Sequence, residues 1–241
     1  MLASTIAIVR DNWLLLLIGQ YPQGPLGGLA ATLLLSVLGI GLAFPVSIAV
    51  ALARLSRWRL LRAPATGLVY VVRGIPLLMI IFWVYFIFPL VLGVQVSGFA
   101  TMVCTLVIYE GVFLSEVVRA GIESLPRGQM DASRALGHSY LGAMRHIILP
   151  QALYNMLPSM LSQFVAAIKD TSLGYIINVP ELTFAGSQIN NRLLTQPFEV
   201  FLILALTYYV VCISVTRVAD WLEGRVATRR AGPSVLVEVA S

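Results

Sequence analysis

The residue types best suited to binding chemistry stand together in one short run, Lys169, Asp170, Thr171 and Ser172. The run follows residues 147–168, which contain no Asp, Glu, Lys or Arg. An ionisable pair at the end of an apolar segment is costly in a bilayer, so it normally faces a wet cavity or a functional path. Lysine can bind a carboxylate and aspartate an ammonium group, while the hydroxyls add hydrogen bonds. Alternatively, Lys169 and Asp170 satisfy each other, or groups on other subunits, and hold a gate shut.

Two further carboxylates lie in or near another apolar segment, at Glu110 and Glu116. Arg119 stands within one helical turn of Glu116, so we interpret that pair as structural. Glu110 has no oppositely charged neighbour in the sequence. We therefore expect Glu110 to face the same pathway as the run that begins at Lys169.

Metal and cofactor chemistry finds little support in the sequence. The two cysteines and two histidines are Cys104, Cys212, His138 and His146, which lack the spacing of a metal site. We expect no catalytic residue, no metal and no other cofactor on this chain. The single lysine is not part of a Gly-Lys-Ser/Thr sequence, so an ordinary phosphate-binding loop is absent as well.

Composition identifies the environment in which these residues act. The chain has 241 residues, of which 59% are hydrophobic and 11% charged, and its mean hydropathy is +0.88. Soluble domains are about 45–50% apolar and about 25% charged. The balance excludes a cytosolic globular enzyme, a disordered region and a secreted disulfide scaffold, and it predicts an all-α membrane protein. We interpret the net charge of +5 as the mark of a cytoplasmic face rather than of a nucleic-acid surface.

The uncharged segments are long enough for five transmembrane helices, since each span needs about 20 apolar residues. Residues 20–25 are rich in Pro and Gly and interrupt the first segment, so residues 12–19 are expected at the membrane interface. Pro76 and Pro89 are expected to bend the second span. The five predicted spans are Leu29–Ala53, Leu68–Leu92, Phe99–Val118, Gln151–Ile177 and Phe198–Leu222.

Arginine predicts the orientation of these spans. Thirteen of the 15 arginines fall on alternate connections and the C-terminal segment, and only Arg10 and Arg192 fall on the other side. Positively charged connections stay cytoplasmic, which places the N-terminus outside and the C-terminus inside. Glu181 and Arg192 then lie in an external loop, where they contact either solvent or a soluble partner. We divide the chain into an external or interfacial segment 1–27, a transmembrane domain 28–224 and a cytoplasmic tail 225–241.

The third connection is longer than a membrane anchor needs. Residues 129–136 suit a short helix, and Gly137 fits the position just past its end, where a left-handed conformation favours glycine. Ser139 can cap a second helix, which Pro150 is expected to break before the fourth span. Two short helices on the cytoplasmic face would present a rigid surface to a soluble partner. The alternative is an amphipathic helix that only covers the bundle.

Several motifs, in a fixed order, carry a resemblance that covers nearly the whole chain. In the third connection they are Asp131-Ala132-Ser133, Gly137 and Ile148-Leu149-Pro150. The others are Gly28–Leu33, Arg73–Leu78, Arg119–Ile122 with Pro126–Gln129, Leu149–Ala152 and Ile168–Leu173. The set resembles the type I ABC importer permeases of the polar amino acid family, and the chain as a whole is similar to the glutamate/aspartate branch. The first motif departs from the Glu-Ala-Ala pattern of that family by Asp for Glu and Ser for the second Ala.

The resemblance implies a type I ABC importer transmembrane domain in a bacterial plasma membrane. Two such subunits, identical or paralogous, enclose a central pathway in the lipid, each rests on an ATP-binding subunit, and an external binding protein delivers the substrate. No nucleic acid is expected as a partner. The segment Arg127–Leu136 corresponds to the coupling helix. The residues implied for contact with the ATPase are Arg127, Asp131, Ala132, Arg134 and Gly137.

Residues and resemblance together predict the permease subunit of an ATP-driven importer of acidic amino acids, with the pathway at Lys169 to Ser172 and Glu110. The permease itself is expected not to be an enzyme. Glutamine or a basic amino acid is an alternative substrate for the same role. A secondary carrier of small polar solutes is the other alternative, although such carriers usually have more helices arranged in repeated halves.

Overall fold

The computed structural model describes residues 2–93 and 95–231, and within these ranges the chain is helical and has no strand. Residues 232–241 of the predicted tail lie outside the described residues. The α-helices are α1 (Leu2–Ile18), α2 (Gly28–Leu55), α3 (Arg59–Gly74), α4 (Leu77–Phe82), α5 (Phe88–Leu92), α6 (Gly98–Glu123), α7 (Arg127–Ala135), α8 (Tyr140–Ala143), α9 (Leu149–Asp170), α10 (Leu182–Leu193) and α11 (Pro197–Ala231). Wide π turns cover Trp83–Ile87 and Met144–Ile148, and a 3₁₀ segment covers Thr171–Ile177.

The centre of the bundle is the pair α2 and α6, which pack along much of their lengths. Leu35 of α2 and Leu106 of α6 are both fully buried. Gly39 lets the helices approach, because a Cβ atom there would lie 2.9 Å from Cβ of Leu106. Small residues at a helix contact allow this closeness in membrane proteins, where packing rather than water drives association.

Three helical segments among the described residues are long and apolar enough to cross a membrane: Gly28–Leu55, Gly98–Glu123 and Pro197–Gly224. They contain the first, third and fifth predicted spans, which are confirmed as helices. The number rises to four if the bent segment described next is one span. The helix α9 covers most of the fourth predicted span but is not among the spanning candidates. The count of five spans therefore stays a prediction.

The bend predicted at Pro76 is confirmed, but the prediction of one helix over Leu68–Leu92 is wrong. The chain turns by 107° between Arg59–Gly74 and Leu77–Val91. Pro76 causes the break, since a proline forces the preceding residue out of the helical region. Ile75 is accordingly extended, with φ −110° and ψ 132°. Residues 68–74 thus belong to α3, which lies at a steep angle to the segment that follows.

The break predicted at Pro150 is also wrong, because α8 continues into α9 through the wide turn Met144–Ile148. The amide of Leu149 donates to the carbonyl of Met144, five residues back. Pro150 then occupies the first turn of the next α-helical stretch, where a missing amide donor costs little. The same arrangement precedes Pro89, so that this proline continues its helix.

The N-terminal helix α1 packs against α2, α10 and α11. Ile8 and Leu16 of α1 belong to one apolar cluster with Leu182, Ile189 and Leu204. Residues 12–18, expected at the interface, therefore form the second half of a helix that begins at Leu2. Its 17 residues are fewer than a typical span needs.

Candidate functional site

The first element of the site is a polar contact between α6 and α9. Glu110 of α6 has 0% exposure, and Nε2 of Gln163 donates to its Oε2 at 2.7 Å. The other carboxylate oxygen, Oε1, is buried and has no donor among the described residues. A buried carboxylate oxygen without a donor is costly. The carboxyl group of Asp170 lies within hydrogen-bond reach of Glu110 and can supply a donor when it is protonated, and a cation can take the same place.

Asp170 completes this contact from the end of α9. It is half-buried and lies close enough to Glu110 for the two carboxyl groups to interact electrostatically. Two residues that stand far apart in the sequence are therefore neighbours, as the pathway hypothesis requires. Two carboxyl groups and an amide in one place are suited to binding an ammonium group.

The rest of the predicted run takes three different environments. Lys169 is exposed on the surface of the single chain, and among the described residues no ion pair joins it to Asp170. Thr171 is buried, and its hydroxyl donates to the carbonyl of Ile168 at 2.7 Å. Ser172 is half-buried in the 3₁₀ segment. The hydroxyl of Thr171 is thus already engaged within its own turn.

The predicted short helix of the third connection is present as α7. It ends at Ala135, with Leu136 as its cap. Gly137 has φ +91°, so the preference for glycine after the helix is confirmed. The hydroxyl of Ser139 accepts from the amide of Gly142 at 3.1 Å, which confirms the predicted cap of the second helix.

The side of α7 that faces away from the rest of the chain is exposed and can contact another molecule. Asp131, Ala132 and Arg134 are exposed, and in the described part of the chain neither charged residue has an ion-pair partner. Leu136 is 82% exposed. The side chain of Arg127, also predicted for coupling, lies outside the described part of the structure.

The predicted pair of Glu116 and Arg119 belongs to a larger ion-pair network at one end of α6. Arg119 bonds to Glu116 at 2.9 Å and to Glu123 at 2.6 Å, and Arg54 of α2 also pairs with Glu116. The structural interpretation of the pair is confirmed. The contribution of Arg54 was missed because it comes from a helix remote in sequence.

Glu181, expected in a loop exposed to solvent or to a partner, is instead fully buried. It caps α10 by accepting from the amides of Thr183 and Phe184, each at 2.8 Å. Its Oε2 also accepts from the hydroxyl of Tyr208 at 3.0 Å. Burial outweighs these hydrogen bonds and raises the pKa of Glu181 to about 7. The expectation was wrong because the contact with α11 leaves no local trace in the sequence.

Comparison with known proteins identifies the class to which this fold belongs. Residues 43–228 match the family described as "Binding-protein-dependent transport system inner membrane component". The chain belongs to this family, whose members are integral membrane components of transport systems. Membership implies ATP-binding subunits and a substrate-binding protein as partners.

Similar proteins indicate which kind of transport system this is. The chain is 35% identical over 214 residues to a probable glutamine ABC transporter permease of Bacillus subtilis, covering 86% of this chain and 98% of the relative. It is 36% identical over 219 residues to a glutamate transport system permease of Corynebacterium glutamicum (89% and 79%). A glutamate/aspartate import permease of Escherichia coli is 34% identical over 209 residues (84% and 93%). The chain is therefore the permease of an amino acid ABC importer, a subunit without an ATPase site of its own.

Solved structures agree with this assignment. An amino acid ABC transporter crystallised with histidines superimposes with a TM-score of 0.79 at 26% identity, covering 92% of this chain and 98% of the other. The MetNI methionine ABC transporter, in an inward-facing conformation, gives a TM-score of 0.62 at 19% identity, covering 80% and 91%. The second likeness concerns the fold alone. Both support the type I ABC importer fold expected from the sequence motifs.

Proposed function

We propose that this permease carries acidic amino acids, glutamate and aspartate, into a bacterial cell across the plasma membrane. The observation that carries the proposal of amino acid transport is the buried contact of Glu110 with Gln163 beside Asp170, a polar group of carboxyl and amide side chains between two largely apolar helices. Such a group suits the α-ammonium of an amino acid, and Lys169 suits a carboxylate. The relatives that transport glutamate or aspartate support the choice of substrate.

In the proposed arrangement the N-terminus is outside and the C-terminus is cytoplasmic. Two permease subunits, identical or paralogous, form the pathway, and an external binding protein supplies the substrate. Thr171 and Ser172 stand beside the pathway at the end of α9. The segment from Arg127 to Gly137 meets an ATP-binding subunit. The residues proposed for this contact are Arg127, Asp131, Ala132, Arg134 and Gly137.

The continuous helix from Tyr140 to Asp170 supports a mechanism for coupling. At about 1.5 Å per residue it is about 45 Å long, and it joins the surface segment directly to the proposed pathway. A displacement of α7 by the ATPase would therefore move Asp170 as part of a rigid body. The absence of a break at Pro150 strengthens this mechanism, because a flexible joint there would absorb the motion.

Stimulation of ATP hydrolysis tests the substrate. The complete importer, reconstituted in lipid vesicles with its binding protein, should hydrolyse ATP faster when glutamate or aspartate is added than when arginine is added. Glutamine is the second candidate, favoured by the relative that matches over 98% of its length. Stimulation by glutamine alone would establish it instead, and stimulation by no amino acid would refute the proposal.

A substitution tests the pathway. Lys169→Met should abolish uptake of the labelled amino acid, because the proposed partner of the carboxylate is removed, while the complex still assembles and hydrolyses ATP. Arg10→Met is a matched control, since among the described residues Arg10 pairs only with its neighbour Asp11 on an exposed surface. Normal transport kinetics in Lys169→Met would remove this residue from the pathway.

A further inference from the structure

A polar cavity, separate from the contact at Glu110, lies near the end of α6 that carries the ion-pair network. Its volume is about 540 Å³, and its lining includes Arg73, Arg119, Ser124, Asn155 and Ser159. Hydroxyl, amide and guanidinium groups therefore meet in one place. The volume falls in the range of about 300–1,000 Å³ that is usual for sites of small molecules.

The charges around this cavity do not cancel. Glu116, the carboxylate in the lining, is already paired with Arg54 and Arg119. Arg73 has no carboxylate within ion-pair distance in the ranges that the structure describes. Nε of Arg119 is buried and has no acceptor there either. The cavity thus offers guanidinium donors in excess of the anions that could use them.

The position of Arg73 keeps its donors available. Its guanidinium carbon lies 5.6 Å from the centre of the Phe113 ring, a cation–π contact. The ring uses none of the N–H donors as a hydrogen-bond acceptor would, so the guanidinium keeps the fork that matches a carboxylate. The break at Pro76 fixes this position, since Arg73 stands in the last turn of α3 directly before the chain turns.

We infer that this cavity is a second substrate site, in which Arg73 binds a carboxylate of the amino acid between the Glu110 contact and the cytoplasm. The inference rests on the proposed function and adds a binding site on the cytoplasmic side, where the amino acid would be released. The wall formed by α6 and α9 then presents carboxyl groups first, at Glu110 and Asp170, and guanidinium groups after them. The carboxyl groups are complementary to the α-ammonium of an amino acid, and the guanidinium groups are complementary to its carboxylate.

Uptake by the full importer tests this site. In vesicles with the ATPase and binding protein, Arg73→Gln should lower the maximal rate of glutamate uptake about 10-fold, the lower range for losing a hydrogen bond between charged groups. Arg73→Lys should keep part of the rate, because it retains the charge but loses the fork. The matched control is Arg62→Gln on the same helix, where an exposed arginine does not line the cavity; its rate should stay within about 2-fold of wild type.

The accompanying measurements separate the explanations. ATP hydrolysis without binding protein reports assembly and should be the same in all variants. A loss for glutamate but not glutamine assigns the side-chain carboxylate to Arg73, and an equal loss assigns the α-carboxylate. Arg73→Gln at the wild-type rate overturns the inference and leaves the proposed function standing. So does an effect that disappears in vesicles of phosphatidylcholine alone, which have no net charge, since Arg73 would then bind the headgroup of an anionic lipid. Wild-type complex that takes up no amino acid refutes both.

Discussion

The buried carboxyl group of Glu181 should make the stability of this protein depend on pH. Burial raises its pKa from an ordinary value of 4.5 to about 7. A carboxyl group with a raised pKa in the folded protein stabilises that state at low pH, where it is protonated, and this contribution is lost as the pH rises through 7. At about 1.4 kcal/mol for each pH unit of difference, the free energy of unfolding should fall by about 3 kcal/mol between pH 4.5 and pH 7.5.

Thermal unfolding of the purified protein in detergent measures this effect. The midpoint temperature of the wild type should fall steadily between pH 5 and pH 7.5, and Glu181→Gln should flatten that dependence because the amide does not titrate. At pH 5 the carboxyl group of the folded wild type is protonated, and its hydroxyl oxygen can still accept a hydrogen bond, whereas the amide nitrogen of Gln cannot. The variant should therefore be less stable than the wild type at pH 5, by about 1–3 kcal/mol.

Tyr208→Phe is the control that distinguishes titration from packing. It removes the hydroxyl that donates to Glu181 at 3.0 Å but leaves the carboxyl group in place. Its stability should be lower, by about 1 kcal/mol, and its pH dependence should persist. If Glu181→Gln and the wild type show parallel curves from pH 5 to pH 7.5, the titrating group is elsewhere and the reasoning is refuted.

Two further predictions concern glycines with matched controls on the same segment or helix. Gly137→Ala should cost about 1–2 kcal/mol at φ +91° and reduce ATPase stimulation by substrate, whereas Gly128→Ala, at an ordinary φ and in equally open space, should not. Equal stimulation in both variants would exclude a role for that conformation. Gly39→Ala should destabilise the protein by about 1–3 kcal/mol through its contact with Leu106. Gly41→Ala should leave the midpoint of thermal unfolding unchanged, because a Cβ atom there would meet nothing within 4 Å. Equal midpoints for Gly39→Ala and Gly41→Ala would contradict the packing argument.

The predicted features that proved correct depend on local signals. Hydropathy alone locates α2, α6 and α11, since each contains a long apolar stretch with few charged residues. Gly137 marks the end of α7 because a positive φ, here +91°, favours glycine. The pair of Glu116 and Arg119 was predictable because residues three apart on a helix are neighbours.

The features that were missed depend on contacts between distant segments or on backbone details that composition does not reveal. Gln163 carries no charge, so the charge pattern of its segment does not reveal it, although an amide in an apolar run is itself a signal. Its partner Glu110 lies 53 residues away, so the contact arises from the packing of α6 on α9. Pro76 and Pro150 are both prolines in helical patterns, yet one ends a helix and the other continues it. The difference is the wide turn before Pro150, which no residue type specifies.

That wide turn also limits how the gene can change. The turn Met144–Ile148 holds one residue more than an α-helical turn does. Deleting any one residue of it would close an ordinary α-helical turn, so the segments before and after it would keep their rotation about the helix axis. Pro150 would then stand inside a regular helix, where its ring clashes with the carbonyl group four residues back. A deletion in the regular part of α9 would instead rotate the two sides by about 100° relative to each other, so single-codon deletions should be more damaging there than in the wide turn.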